Sequence, residues 1–181
     1  MSERINPPIG VARVALGRAD GFARFDGTVQ SFLNSLAPLI AFPLAGAVIE
    51  LFRADWLAAL SLVLLTLVAQ LAPPVLSHRL AVFWNCEDRW LHYATAYNWC
   101  YWAIPMVGAG LTVCFAMAVG AGLPSTLAAQ AVLGCLGLYS LWLNWFVARH
   151  TLGLSAGKAA ILVVLVNAGT AALAIGPALL G

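Results

Sequence analysis

Charge is what this sequence has least of. Its 181 residues carry nine Lys and Arg against seven Asp and Glu side chains, whereas about a quarter of a soluble domain is charged. So few ionised groups cannot cover a water-facing surface, which excludes a soluble enzyme, a nucleic-acid-binding module and a solvated disordered tail. The apolar stretches also lack the every-second-residue alternation that the strands of a membrane barrel require. Cysteine is sparse: Cys86, Cys100, Cys114 and Cys135 are scattered, and no disulfide framework is expected. The three histidines, His78, His92 and His150, sit at the rims of apolar runs, which argues against bis-histidine haem ligation within a bundle.

What is present is hydrocarbon. Mean hydropathy is +0.91, and no Asp, Glu, Lys or Arg occurs in 27–49, 56–77, 90–148 or 159–181. A helix needs about 20 apolar residues to cross a bilayer. The first, second and fourth of these runs are one crossing long, and the third is long enough for two. Gly120-Ala121-Gly122-Leu123-Pro124-Ser125 marks the turn between them, because glycine ends helices and proline begins them. The expected fold is therefore all-α, an integral bundle of five transmembrane helices at about 29–52, 56–77, 91–119, 124–147 and 158–180, preceded by a short interfacial amphipathic helix. Residues 1–26 form the N-terminal segment and 27–181 the transmembrane domain.

Basic residues orient the bundle, since Lys and Arg flanking crossings stay in the cytoplasm. With the N-terminus inside, Arg4, Arg13, Arg18, Arg24, Arg79, Arg89, Arg149 and Lys158 are cytoplasmic, and only Arg53 is outside. Five crossings then place the C-terminus on the far side of a bacterial-type inner membrane. Arg13 interrupts the apolar stretch from Ile9 to Leu16, which is unlike a secretory signal. Val11, Val14, Ala15, Phe22 and Phe25 among four arginines suit a helix in the headgroup layer, broken at Asp20-Gly21. Asp26 or Thr28 is placed to cap the first crossing, and Ser155 the last.

Helices in lipid associate through close backbone contact and a few polar pairs. Ala116 with Gly120, Ala118 with Gly122, and Ala168, Ala172 with Gly176 have the four-residue spacing that permits close approach. Pro38, Pro43, Pro73-Pro74 and Pro105 free carbonyls and bend their helices, with Asn34, Ser35 and Gln70 near the freed groups. Six of the seven tryptophans (all but Trp56), with Tyr93, Tyr97, Tyr101 and Tyr139, crowd the cytoplasmic half. They form an interfacial belt or line a cavity for a headgroup or flat cofactor.

The polar candidates fall into two sets. At the rim, Glu87, Asp88, Arg89 and His92 of the second connection face Arg149 and His150 at the end of the fourth crossing. An ion-pair network is one reading; Asp88, His92 and His150 as a metal site or proton relay is the other. Only Asp88 and His92 share a helix face, and a metal needs three or four converging ligands, so neither metal nor cofactor is assigned. Within the membrane, Asn98 and Asn144 are placed to meet across adjacent antiparallel helices, and Asn167 lies deep in the last crossing. With no ionisable side chain at the bilayer centre, ion-coupled transport is disfavoured. Gly153-Leu154-Ser155-Ala156-Gly157 matches a nucleophile elbow in letters but lacks the preceding strand. The following Lys158 completes no phosphate loop.

Phe25-Asp26-Gly27-Thr28, Ala37-Pro38, Asn98-Trp99 and Tyr139-Ser140-Leu141-Trp142-Leu143-Asn144-Trp145-Phe146, within a five-crossing outline, resemble small uncharacterised bacterial inner-membrane proteins. That outline is similar to the Yip-domain (Ypt-interacting protein) membrane proteins. The resemblance implies a multi-pass fold and a non-enzymatic role as scaffold, partner or membrane-organising subunit; it carries no functional residues. Membrane lipids are the expected partners, with other membrane proteins or a second copy as further candidates and no nucleic acid. A small permease or lipid carrier reaching Asn167, and a lipid-headgroup enzyme acting through Asp88, His92 and His150, are the alternatives.

Overall fold

The computed structural model describes residues 5–52 and 56–180. Among these the chain is helical, with no strand. In order come α1 (Pro7–Ala15), a 3-10 turn (Ala19–Arg24), α2 (Val29–Phe52), α3 (Trp56–Phe83), a 3-10 turn (Glu87–Arg89), α4 (Trp90–Cys100), α5 (Ala103–Gly120), α6 (Ser125–Thr151) and α7 (Ala156–Leu180). Four described runs are long and apolar enough to cross a membrane: Ala59–Phe83, Glu87–Gly120, Ser125–Thr151 and Ala156–Ala174. In α2 the described apolar stretch, Val29–Ala41, is shorter. Arg4, Arg53, Asp55 and Gly181 lie outside the described residues, as do the side chains of Pro43 and Glu50 and the surroundings of Gly176.

The helix ends follow local chemistry. Thr28 Oγ1 accepts from the Ser31 backbone N–H at 3.2 Å and so caps α2, while the Asp26 carboxylate accepts from the Thr28 and Ser31 hydroxyls. Ser155 Oγ accepts from Lys158 N–H at 3.4 Å at the start of α7. After α5, Gly122 N–H reaches Val119 O and Leu123 N–H reaches Ala118 O, the paired closure that satisfies terminal carbonyls. Asn85 ends α3 in the same way: its N–H goes to Val82 O and that of Cys86 to Ala81 O. Its φ is 56°, a left-handed setting that asparagine tolerates better than most residues.

Proline acts differently in two helices. α3 runs through Pro73 and Pro74 to Phe83, past the boundary at 77, because non-polar surroundings leave the chain no better partner than its own helix. The third crossing, expected as one helix over 91–119, is broken instead. Pro105 has no N–H to offer Tyr101 O; Ile104 N–H takes that carbonyl one residue short, at 3.2 Å. α4 and α5 are the result.

α4 ties the bundle together. Asn98 Nδ2 donates to Ser35 Oγ of α2 at 2.9 Å, and Trp90 Nε1 donates to Ser77 Oγ of α3 at 3.2 Å. This corrects two expectations: the Asn98 amide meets Ser35 rather than Asn144, and Ser35 donates to Phe32 O rather than to a carbonyl freed by Pro38. α3 packs on α2 and α7, and α6 on α5, α4 and α7. Close approach occurs at Gly108 beneath Leu136 and at Gly169 beneath Leu76, not at the small-residue pairs of α5. Around Gly120 and Gly122 there is open space.

Residues 5–25 fold back onto the bundle. α1 and the following turn cross at Gly10 and Gly21, where a β-carbon on Gly21 would lie 2.8 Å from Gly10 O. Only glycine permits that crossing. Asn6 N–H closes the unit on Arg24 O at 3.1 Å. Val11, Val14, Phe22 and Phe25 are buried, each stabilising by about 1.5–3 kcal/mol if withdrawn from water.

Candidate functional site

The structure divides the rim cluster in two. His92 and His150 lie beneath the folded-back segment. His92 Nε2 donates to Phe22 O at 3.1 Å and His150 Nδ1 to Phe146 O at 2.9 Å, since a carbonyl can only accept. The His150 ring also stacks on Phe22, with centroids 5.7 Å apart and planes at 17°. Asp88, by contrast, projects from the Glu87–Arg89 turn, before α4 begins at Trp90. It lines a recess away from the N-terminal segment that His92 engages. Arg149 lies over the Trp145 ring at 5.1 Å, and Arg89 faces Asp88 at 3.8 Å. Among the described residues no three His, Cys, Asp or Glu side chains converge on a metal position.

The aromatic crowding has a specific structural use. On α6, Tyr139, Trp142, Phe146 and His150 form a continuous ladder, with successive centroids 5.7, 5.3 and 4.3 Å apart. Their spacing puts them on one helical face. Tyr139 Oη donates to Ala15 O at 3.2 Å, Gly17 lies against Trp142, and Phe22 rests on Phe146 and His150. The ladder is the seat of residues 5–25.

Electrostatics fix the segment itself. At Asp20 burial pushes the carboxyl pKa up, but hydrogen bonds and attraction from Arg18 and Arg13 outweigh it and hold the value low. Arg13 approaches to 2.8 Å and Arg18 to 3.1 Å. Asp26 is lowered chiefly by the Thr28 hydroxyl, with the Ser31 hydroxyl, the Gly27 N–H and the nearby His92 adding to it against some desolvation.

The second half of the cluster opens elsewhere. Between the 84–89 and 152–158 connections lies a largely polar recess of about 340 Å³, lined among others by Asn85, Asp88, Arg89, Gly153, Ser155 and Lys158. Gly153 has φ 67°, and the Arg89 guanidinium lies where a β-carbon on Gly153 would project. The buried Cys86 thiol on its wall has its pKa raised, first by desolvation and then by Asp88. Asn85 at a helix end and Lys158 beside Ser155 were visible signals in the sequence; their meeting across two connections was not.

Of the intramembrane amides, Asn98 is buried in its bond to Ser35 and Asn144 is also buried. Asn167 donates to Val163 O of its own helix at 2.8 Å and stands on the exposed face of α7 with Val164, Leu165, Ala168 and Ala172. No family model, curated protein or solved structure matches the chain.

Proposed function

We propose that this chain is a five-crossing protein of a bacterial-type inner membrane, with α2 as the fifth crossing and residues 5–25 as a cytoplasmic interfacial cap. It acts without catalysis, as a membrane-organising subunit or scaffold of Yip-like outline. The observation that carries this reading is where the polar groups are engaged. His92 and His150, needed free by a headgroup enzyme, hold the N-terminal segment and its seat. Asn167, needed inside by a carrier, lies on an outer face.

That face also favours a subunit. Ala168 and Ala172 are one turn apart beside Asn167 and permit close backbone approach, and an amide on an apolar surface finds its best partner on another helix. The partner is a second copy or another membrane protein, with lipid around the rest.

Affinity purification from native membranes, with mass spectrometry of bound protein and lipid, tests the reading. A partner or self-association that Asn167→Leu weakens is the expected result. Retained association in that variant together with abolished solute flux would replace the subunit with a carrier. An altered cellular lipid profile in the Asp88→Ala, His92→Ala double variant would replace it with an enzyme. A reporter after Gly181 that is active only in the cytoplasm would overturn the topology.

A further inference from the structure

The recess between the second and fourth connections is engaged in none of the contacts that hold the cap. Its walls come from three helix ends. α3 closes at Asn85, α6 turns through Gly153 and α7 begins after Ser155. α7 brings the positive end of its dipole, while the last carbonyls of α3 are closed locally by the Asn85 and Cys86 N–H groups. α6 ends in carbonyls that oppose it, so the sign of the space is set by its side chains. Gly153, lacking a β-carbon, leaves room for the Arg89 guanidinium beside it. Lys158 lines the recess from the first turn of α7 and has no ion-pair partner among the described residues. Against these two cations stands one carboxylate, Asp88, which reaches Arg89 only at 3.8 Å. The recess therefore carries a net positive charge.

We propose that the recess binds a phosphate group, held between the Arg89 guanidinium and the Lys158 ammonium with the Ser155 hydroxyl alongside. Guanidinium presents paired donors that match phosphate oxygens, and ammonium adds a compact charge. The leading N–H groups of α7 have no carbonyl within their own helix, and the space around Gly157 is open, so they reinforce the same polarity. Asn85 supplies a neutral polar wall, and Asp88 faces a hydroxyl-bearing substituent better than a second anion. The chemistry is that of a phosphate monoester or diester. It comes either from an anionic lipid headgroup, reached if these helix ends mark the ends of their crossings, or from a soluble phosphate compound. The site stands independently of the subunit reading.

The test uses the full chain in neutral detergent, following thermal unfolding while phosphatidylglycerol, phosphatidylcholine or inorganic phosphate is added. Phosphatidylglycerol is expected to raise the transition and phosphatidylcholine to leave it unchanged. Lys158→Gln and Arg89→Gln each weaken the response about fivefold and together about thirtyfold, the loss expected for one and two basic groups at a membrane surface. Arg79→Gln, a basic change outside the recess, leaves it as it was. A response to phosphatidylglycerol alone identifies the lipid headgroup as ligand. A response to inorganic phosphate that the same variants weaken identifies a soluble phosphate. Stabilisation by neither anion, or equal loss in Arg79→Gln, overturns the site. If the double variant does not fold, Lys158→Gln carries the test alone, because its side chain is exposed and unpaired.

Discussion

α4 and α5 share one apolar run and differ in almost everything else. α4 buries six of its 11 residues, Tyr93, Ala94, Thr95, Ala96, Asn98 and Cys100; α5, with 18 residues, buries only Ala103. α4 makes hydrogen bonds to α2, α3 and the N-terminal segment. α5 turns Met106, Val113 and Met117 outward. The break at Pro105 thus separates a helix that organises protein from one that meets its surroundings. Hydropathy rises across that break, so apolarity in a membrane is a poor guide to burial. Small and polar residues mark the packed helix, because lipid competes for large apolar side chains as readily as protein does.

The contrast can be broken from the packed side. Ala96 is fully buried, and Ala96→Leu is expected to destabilise by about 2–3 kcal/mol through overpacking, while Met117→Leu on α5 changes stability by less than about 0.5 kcal/mol. Reversible unfolding in mixed micelles compares the two, and equal effects would erase the distinction. Next in size, Phe22→Ala removes the ring that bridges Phe146 and His150. A local loss of about 2 kcal/mol, the scale of one buried phenylalanine, should speed proteolysis within residues 5–25 and leave the other helices intact; unchanged cleavage would show that the seat does not hold the segment.

Asn98→Leu, which leaves Ser35 without its partner, is expected to cost about 1 kcal/mol, the scale of interhelical hydrogen bonds in membranes. Ser35→Ala in the same background should add little further, as a double-mutant cycle would reveal. Smallest is a pH effect. Asp20 and Asp26 have lowered pKa values in the folded chain, so their stabilisation is complete above the ordinary carboxylate range. It fades as pH falls through that range toward the lower folded values. The loss of protection against hydrogen exchange in residues 5–25, measured relative to the intrinsic rate at each pH, should appear below about pH 4, and Asp26→Asn should remove part of the response.

The sequence showed most where one residue type has one cause. Charge-free runs became long helices, Thr28 and Ser155 became caps, and 120–125 became the turn between α5 and α6. It showed least where the outcome depended on a partner far along the chain. Asn98 chose Ser35 over Asn144 because α4 lies against α2 as well as α6, a neighbour relation that periodicity does not contain. The histidines stood with Asp88 as a chemical cluster in the sequence, whereas in the fold they bond to Phe22 O and Phe146 O while Asp88 lines the recess. The break expected at Asp20-Gly21 falls instead at residues 16–18, ahead of the 3-10 turn that contains both residues; the closeness of Gly21 to Gly10, which folds the segment back, requires both elements in three dimensions.

The seat on α6 also constrains the order of assembly. Ala15 and Tyr139 are 124 positions apart, so residues 5–25 have nowhere to rest until α6 has been synthesised and inserted. Through most of translation their valines and phenylalanines must be sheltered by headgroups or a chaperone. A segment made well before its seat is accordingly among the last to reach its native place.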